Sequence, residues 1–219
     1  VRLNKFIADA TGVSRRKADQ LIIASKVSLN DKQAYPGDKA APGDRVLINN
    51  ELISLKPKLL LALNKPPGYV CSRRSQGNKT VYELIPPAYH HLKPIGRLDK
   101  DSSGLLLLSN DGGLANELTH PKYQKQKKYE VTLDKELSKS DTQKLLTGVE
   151  LADGLSKFIA LRSTAPPKYE VTISQGRNRQ IRRTFAALNY KVVKLHRINI
   201  GKYQLDNLSS AKWKLLNIK

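Results

Sequence analysis

Residues 96–112 read Gly-Arg-Leu-Asp-Lys-Asp-Ser-Ser-Gly-Leu-Leu-Leu-Leu-Ser-Asn-Asp-Gly. Four consecutive leucines can all leave water only in an element covered on both sides, so positions 105–108 predict a central, fully buried strand. The residues just before them are polar, with Asp99 and Asp101 beside Arg97 and Lys100. A chain folded around this run must hold a charged loop at the end of one of its most buried strands. A carboxylate fixed in such a place is well positioned for chemistry.

Calcium is the first alternative for this loop. Asp99, Asp101, Ser103 and Gly104 match the opening positions of a helix-loop-helix calcium motif. The position that should carry a bidentate glutamate is Asn110, and the loop runs into leucines rather than a helix. The chain also holds 39 Lys+Arg against 19 Asp+Glu, a net charge of +20 that makes it a poor host for a cation. No metal is expected. The same charge points to a polyanionic partner, nucleic acid before an acidic membrane.

Few other classes survive. No apolar run approaches the roughly 20 residues of a membrane span, and the opening Val-Arg-Leu-Asn-Lys-Phe lacks the apolar stretch of a secretory signal. A single cysteine, Cys71, excludes an internal disulfide and a multi-cysteine zinc site. A cytoplasmic protein is expected. The chain contains no methionine, which implies that an initiator is missing from it.

Residues 1–50 read as a separate small domain. Leu3, Phe6, Ile7 and Ala10 have helical spacing, which Gly12 ends. Ser14 is placed to cap a second helix over 15–25, with Ala18, Leu21, Ile22 and Ala24 as its apolar stripe. Short strands are predicted at 27–29 and 45–48, between turn signals at Asn30-Asp31, Pro36-Gly37-Asp38 and Pro42-Gly43-Asp44. Two short helices, a second helix opening on Arg15, Arg16 and Lys17, and a Pro-Gly-Asp-Arg-Val strand entry together resemble the alpha-L RNA-binding domain, first known from ribosomal protein S-four. The resemblance implies that Arg15, Arg16 and Lys17 face structured RNA.

Residues 51–58 read as a linker, and 59–219 as a second domain. Leu59-Leu-Leu-Ala-Leu predicts a buried strand and Lys65-Pro-Pro-Gly68 a turn. Lys128-Tyr-Glu-Val-Thr-Leu and Lys168-Tyr-Glu-Val-Thr-Ile each alternate as half-buried strands. A helix is predicted over 177–188 from Ile181, Phe185 and Leu188. From Gln175 to Arg197 there are seven basic residues, Arg177, Arg179, Arg182, Arg183, Lys191, Lys194 and Arg197, and no acidic one. A solvated helix face usually mixes signs, so Arg177, Arg179 and Arg183 are candidates for phosphate contact. An arginine of this segment is also free to pair with a carboxylate from elsewhere, such as Asp99.

The four histidines show no metal spacing, and neither a nucleophile elbow nor a phosphate loop occurs. What remains is an acid acting on a polyanion without metal or cofactor. Carboxylates do such work at glycosidic carbons, where positive charge builds on the sugar as a base departs. A carboxylate in that role needs an arginine to keep it charged beside phosphates. A base taken from an RNA stack also needs an aromatic face to receive it. On residues alone two rivals stand. One is an RNA-directed hydrolase using Asp99 and Asp101 as an acid/base pair; the other is a ribosome-binding or assembly protein without catalysis.

A wider resemblance bears on the choice. Gly96-Arg-Leu-Asp-Lys-Asp-Ser-Ser-Gly-Leu, Lys127-Lys-Tyr-Glu-Val and Gln175-Gly-Arg-Asn-Arg-Gln-Ile-Arg-Arg-Thr-Phe, in that order, resemble three motifs of the RNA pseudouridine synthases. The branch is the RsuA-type one, with ribosomal RNA substrates and an N-terminal alpha-L domain. The strand and turn from Leu59 to Gly68 resemble the first catalytic-domain strand of that branch, although the chain lacks a long C-terminal extension. The resemblance implies an α+β fold with a mixed, mostly antiparallel sheet. It implies a cofactor-free isomerase acting as a monomer on ribosomal RNA, free or in a pre-ribosomal particle. By position it gives Asp99 the catalytic role on the ribose side of a target uridine. Tyr129 would stack on the flipped uracil, Arg182 pair with the aspartate, Leu195 line the pocket and Arg97 position RNA. Asp101 is expected only to support the loop. The Asp99-Lys-Asp-Ser sequence is closer to enzymes of large-subunit (23S) ribosomal RNA than to those of small-subunit (16S) RNA.

Overall fold

The computed structural model describes residues 1–217. It divides into two compact units: residues 1–59 with 110–112, and residues 60–109 with 113–217.

The first unit opens with two helices, α1 (Leu3–Thr11) and α2 (Arg15–Ile23). Gly12 ends α1 in the left-handed conformation, φ +82°, its N–H bonded to the Ala8 carbonyl. Ser14 caps α2 by accepting from the Lys17 N–H. That helix stops two residues short of the expected end because Ser25 takes φ +57°, and Ala24 is exposed rather than part of the buried stripe. Four short strands follow: β1 (Val27–Leu29), β2 (Lys32–Gln33), β3 (Val46–Ile48) and β4 (Glu51–Ile53). They form an antiparallel sheet in the order β2-β1-β3-β4. Two of these strands have no counterpart in the sequence reading, and β4 lies in the stretch read as a linker. The signal lay in the turns: Asn30-Asp31 and Asn49-Asn50 all take positive φ, the two-residue geometry that joins adjacent antiparallel strands. Leu3, Phe6, Ile7, Ala18, Ile22, Val27 and Val46 are among the residues of this unit's core.

The second unit is built on β5 (Leu60–Lys65), β6 (Lys93–Ile95), β7 (Ser103–Ser109), β8 (Lys127–Leu133), β9 (Ala160–Ala165), β10 (Lys168–Ile173), β11 (Val192–Ile200), β12 (Tyr203–Gln204) and β13 (Trp213–Leu216). The sheet runs β13-β5-β7-β11-β8-β10-β9, with β6 also on β7 and β12 on β11. Every pairing is antiparallel except β7 with β11, the mixed, mostly antiparallel α+β sheet that the resemblance implies. Among the described residues, three α-helices accompany it: α3 (Gly112–Thr119), α4 (Lys139–Thr147) and α5 (Gln180–Ala186).

The leucine run is β7, and all four side chains are fully buried. Leu105 and Leu107 pack with Leu60, Ala62, Ile95 and Leu118. The two similar Lys-Tyr-Glu-Val-Thr segments are neighbouring strands, β8 and β10, with Tyr129 opposite Val171 and Val131 opposite Tyr169. Tyr169 is buried and its hydroxyl accepts from the Leu137 N–H at 2.9 Å.

One cross-strand row organises the rest. Lys65 pairs with Gly104, Gly104 with Arg197, Arg197 with Tyr129, and Tyr129 with Val171. Gly104 has φ +102°, and a Cβ there would overlap the Arg197 backbone. The glycine just before the leucines therefore lets β7 and β11 close against each other where the charged loop enters the sheet.

Candidate active site

The loop before β7 is held by its backbone. Lys65 is completely buried, and its three ammonium N–H groups are shared among four carbonyl oxygens: Ser102 at 2.6 Å, Asp99 and Pro66 at 3.1 Å and Lys100 at 3.4 Å. The Gly68 N–H bonds the Lys100 carbonyl at 2.7 Å, and the Ser102 N–H bonds that of Asp99 at 3.1 Å. The Cys71 sulfur exchanges contacts with Leu98, accepting from its N–H and donating to its carbonyl. With the main chain so engaged, the Asp99 carboxylate does not serve as a loop cap. Burial pushes the Lys65 ammonium below its ordinary pKa, with the Asp101 and Asp99 carboxylates pulling the other way.

Lys65 is the residue that sequence reasoning overlooked, since a lysine ahead of Pro-Pro-Gly reads as a surface turn. Lys65→Met keeps the stem and removes the donor. It is expected to cost about 2–3 kcal/mol of stability, from buried carbonyls left without a partner. Misplacement of the loop should lower catalytic turnover by about 10²-fold. Urea unfolding together with single-turnover kinetics on RNA checks both numbers.

The arginines reach the loop from α5 and the turn before it. Helix formation starts only at Gln180, so Arg177 and Arg179 precede the helix instead of lying on its face. Arg179 is the N-terminal cap residue and takes φ +45°, a conformation uncommon for any side chain other than Gly, Asn or Asp. Its Nη1 lies 3.6 Å from Asp99 Oδ2 and 3.3 Å from Asp101 Oδ1. Arg182 is nearly buried. Its Nη2 lies 3.1 Å from Asp101 Oδ2, and its Nε 4.0 Å from Asp99 Oδ2. Arg182 is itself fixed by donating to the Val192 carbonyl at 2.9 Å and to Ser102 Oγ at 3.3 Å.

The expected pairing of Arg182 with Asp99 is thus present, but it is the longer of two contacts. Asp101 does more than support its own loop: it clamps both arginines from 78 and 81 residues away. Burial raises the Asp101 pKa, but the Arg179 hydrogen bond and the charges of Arg182 and Arg179 outweigh it, leaving the group below its ordinary value.

Two other arginines of the segment are already engaged. Arg183 makes a two-pronged contact with Asp153, at 2.9 and 2.8 Å. Arg177 reaches the same carboxylate at 3.2 Å and donates to the carbonyls of Asp153, Gly154 and Leu155. The segment contains no acid, as its sequence shows, but the fold brings one to it. Arg15, Arg16 and Lys17 are exposed at the start of α2, where Arg15 also donates to Asn4.

A cavity of about 130 Å³ opens beside Asp99. Its walls include Arg97, Asp99 and Arg179, with Lys127, Tyr129, Leu195 and Arg197 from β8 and β11. Tyr129 and Leu195 are buried and Arg97 is exposed. An engineered cavity of roughly 150 Å³ holds one benzene ring, so this volume has room for a single six-membered ring. A second hollow shares Arg97, Asp99 and Arg179 and extends along Cys71, Lys100 and Asn178. Arg97, Asp99, Tyr129, Leu195 and Arg179 therefore meet at one site, with Arg182 behind Asp99.

Known proteins similar to this chain identify its family. The family model described as RNA pseudouridylate synthase matches residues 59–187, and the S4 domain model matches residues 1–46. The chain is 36% identical over 220 residues to the dual-specificity RNA pseudouridine synthase RluF of Escherichia coli K12, covering 98% of this chain and 74% of that protein. It is also 36% identical over 212 residues to the ribosomal small subunit pseudouridine synthase A of Yersinia pestis, covering 94% and 90%. A crystal structure of a pseudouridylate synthase superposes with a TM-score of 0.72 at 33% identity, covering 99% of this chain and 96% of that one. The chain belongs to the RNA pseudouridylate synthases, isomerases of the RsuA/RluF type that carry an N-terminal S4 RNA-binding domain.

Proposed function

We propose that the protein converts a uridine of ribosomal RNA to pseudouridine, with Asp99 as its catalytic carboxylate. The observation that carries this reading is that Asp99, Tyr129 and Leu195 line one cavity with room for a single ring. Asp99 attacks C1′ of the ribose or removes its C2′ proton, and the uracil leaves. Tyr129 receives the ring on its face, Leu195 closes the apolar side, and Arg97 at the mouth meets the RNA backbone. Arg182 and Arg179 stand beside the carboxylate and offset the charge of incoming phosphates. No metal or cofactor enters the reaction.

Large-subunit RNA is the proposed substrate, on the likeness of the Asp99-Lys-Asp-Ser stretch to large-subunit enzymes. The small-subunit reading draws on the relative named for that subunit. Mapping pseudouridines in both ribosomal RNAs from a strain lacking the protein separates them. One large-subunit pseudouridine should vanish and return with the wild-type gene. Loss confined to small-subunit RNA would reverse the choice, and an unchanged map would remove the function.

The S4 domain is assigned the affinity. Replacing Arg15, Arg16 and Lys17 together by Gln is expected to weaken binding to ribosomal RNA and to flatten its log–log salt dependence by about 2–3. Turnover at saturating RNA should be unchanged. Filter binding across a salt series measures the slope, and an unaltered slope would remove these three residues from the interface.

A further inference from the structure

Three cations are buried around the site, and among the described residues none has an ion-paired carboxylate. Lys65 is satisfied by its four carbonyls. Arg197, 2% exposed, donates through Nε to the Leu105 carbonyl at 2.8 Å, and its Nη2 is buried with no hydrogen-bond partner. Lys127, 9% exposed, reaches only the Lys125 carbonyl, at 3.2 Å. Arg197 and Lys127 both line the cavity beside Asp99. Arg197 sits directly across from Tyr129, and Lys127 is two residues from Tyr129 on the same face of β8.

A buried charge without a counter-charge is strongly unfavourable. Where a fold keeps one, the compensating group is expected to be a ligand. Burial, and next the charge of Arg197, push the Lys127 ammonium below its ordinary pKa, so the two cations repel each other. An anion between them would relieve both.

We propose that Arg197 and Lys127 form an anion-stabilising floor for the detached base. Both donate hydrogen bonds to the carbonyl oxygens of uracil and hold the negative charge that the ring carries while it is free of the ribose. The proposal rests on the function assigned above, and the charge balance requires such an anion. When the C1′–N1 bond breaks, its electron pair stays with the ring, spread over N1 and the carbonyl oxygens. Asp99 either bonds to C1′ or takes the C2′ proton, and becomes neutral. On either route one negative charge passes from the carboxylate to the ring. Rejoining through C5 returns that charge to Asp99, after which C5 loses its proton and N1 gains one. The free ring is the only form of the base in this sequence that is anionic, and donors already in place beside it favour that state over bound uridine. Arg197 and Lys127 are in this sense catalytic residues that touch the base, whereas Arg182 acts on Asp99.

Single-turnover kinetics on ribosomal RNA transcripts test the idea. Arg197→Met and Lys127→Met should each slow pseudouridine formation by about 10²–10³-fold at saturating RNA, with RNA affinity unchanged. Arg197→Lys should recover part of the loss. A purely structural role could also slow the reaction, so a second substrate is needed. Transcripts made with 5-fluorouridine carry a less basic leaving ring, which needs less help from the floor. The deficit of both Met variants should shrink by about tenfold on that substrate, read as loss of 5-fluorouridine from nuclease digests by mass spectrometry. Equal deficits on uridine and 5-fluorouridine, or variants as fast as wild type, would overturn the proposal. Lys127→Met, at the edge of the buried region, keeps it open to refutation if Arg197→Met fails to fold. A wild-type chain that forms no pseudouridine would instead overturn the functional reading on which the proposal rests.

Discussion

Asp99→Asn is expected to reduce pseudouridine formation by at least about 10⁴-fold, in line with the loss of a nucleophile or base in other enzymes, while RNA binding stays within about twofold. The two halves of the prediction have separate physical grounds. An amide can neither attack C1′ nor accept the C2′ proton, so the chemistry has no second route. The loop, however, is held by carbonyls at 99, 100 and 102 on the Lys65 ammonium, and by the Gly68 N–H. None of these contacts uses the Asp99 side chain. Asp101 also retains both arginines, so the cleft keeps its shape. Tritium release from 5-tritiated uridine in ribosomal RNA, with filter binding alongside, measures both. Release from the variant within tenfold of wild type would remove Asp99 from the reaction.

Gly104→Ala is expected to destabilise the second unit by more than about 4 kcal/mol, in the range reserved for severe packing failures. Two effects add. The residue has φ +102°, where a side chain is strained, and its Cβ would meet the Arg197 backbone, with the Arg197 N only 2.5 Å away. The obstacle is main chain in a paired strand, which cannot rotate aside as a side chain would. Gly68→Ala is the control. It has φ +92° but nothing within 4 Å of its Cβ, so only backbone strain applies and about 1–2 kcal/mol is expected. Urea unfolding with an unchanged slope separates the two. Equal losses would show that strain, not closure of β7 on β11, accounts for Gly104.

The leucine run, the helix caps at Gly12 and Ser14 and the alternation of β8 and β10 could be read in the sequence because each is set by residues close together in the chain. The two strands missed in the first unit were also local in origin. They are two and three residues long, too short for alternation to register, and only the paired positive-φ turns mark them. The arginine segment is a different case. Its one-sided charge was visible, but the acids that partner it sit far away, at Asp99, Asp101 and Asp153. Arg179 looked like one more phosphate contact, yet it bridges the two carboxylates because its left-handed turn directs it there.

Local spacing and motif order are enough to mark the family, the buried strand and the position of the Asp99 loop at its end. What holds that loop, and which side chains line the cavity beside Asp99, follow from the tertiary structure alone. Lys65, Gly104, Arg197 and Tyr129 are scattered over more than 130 residues, and strand pairing sets them in one row. Periodicity reports which residues leave water, but not which distant strand they meet. A lysine caged by carbonyls and an arginine buried without an acid are products of that pairing, and no window along the chain contains them.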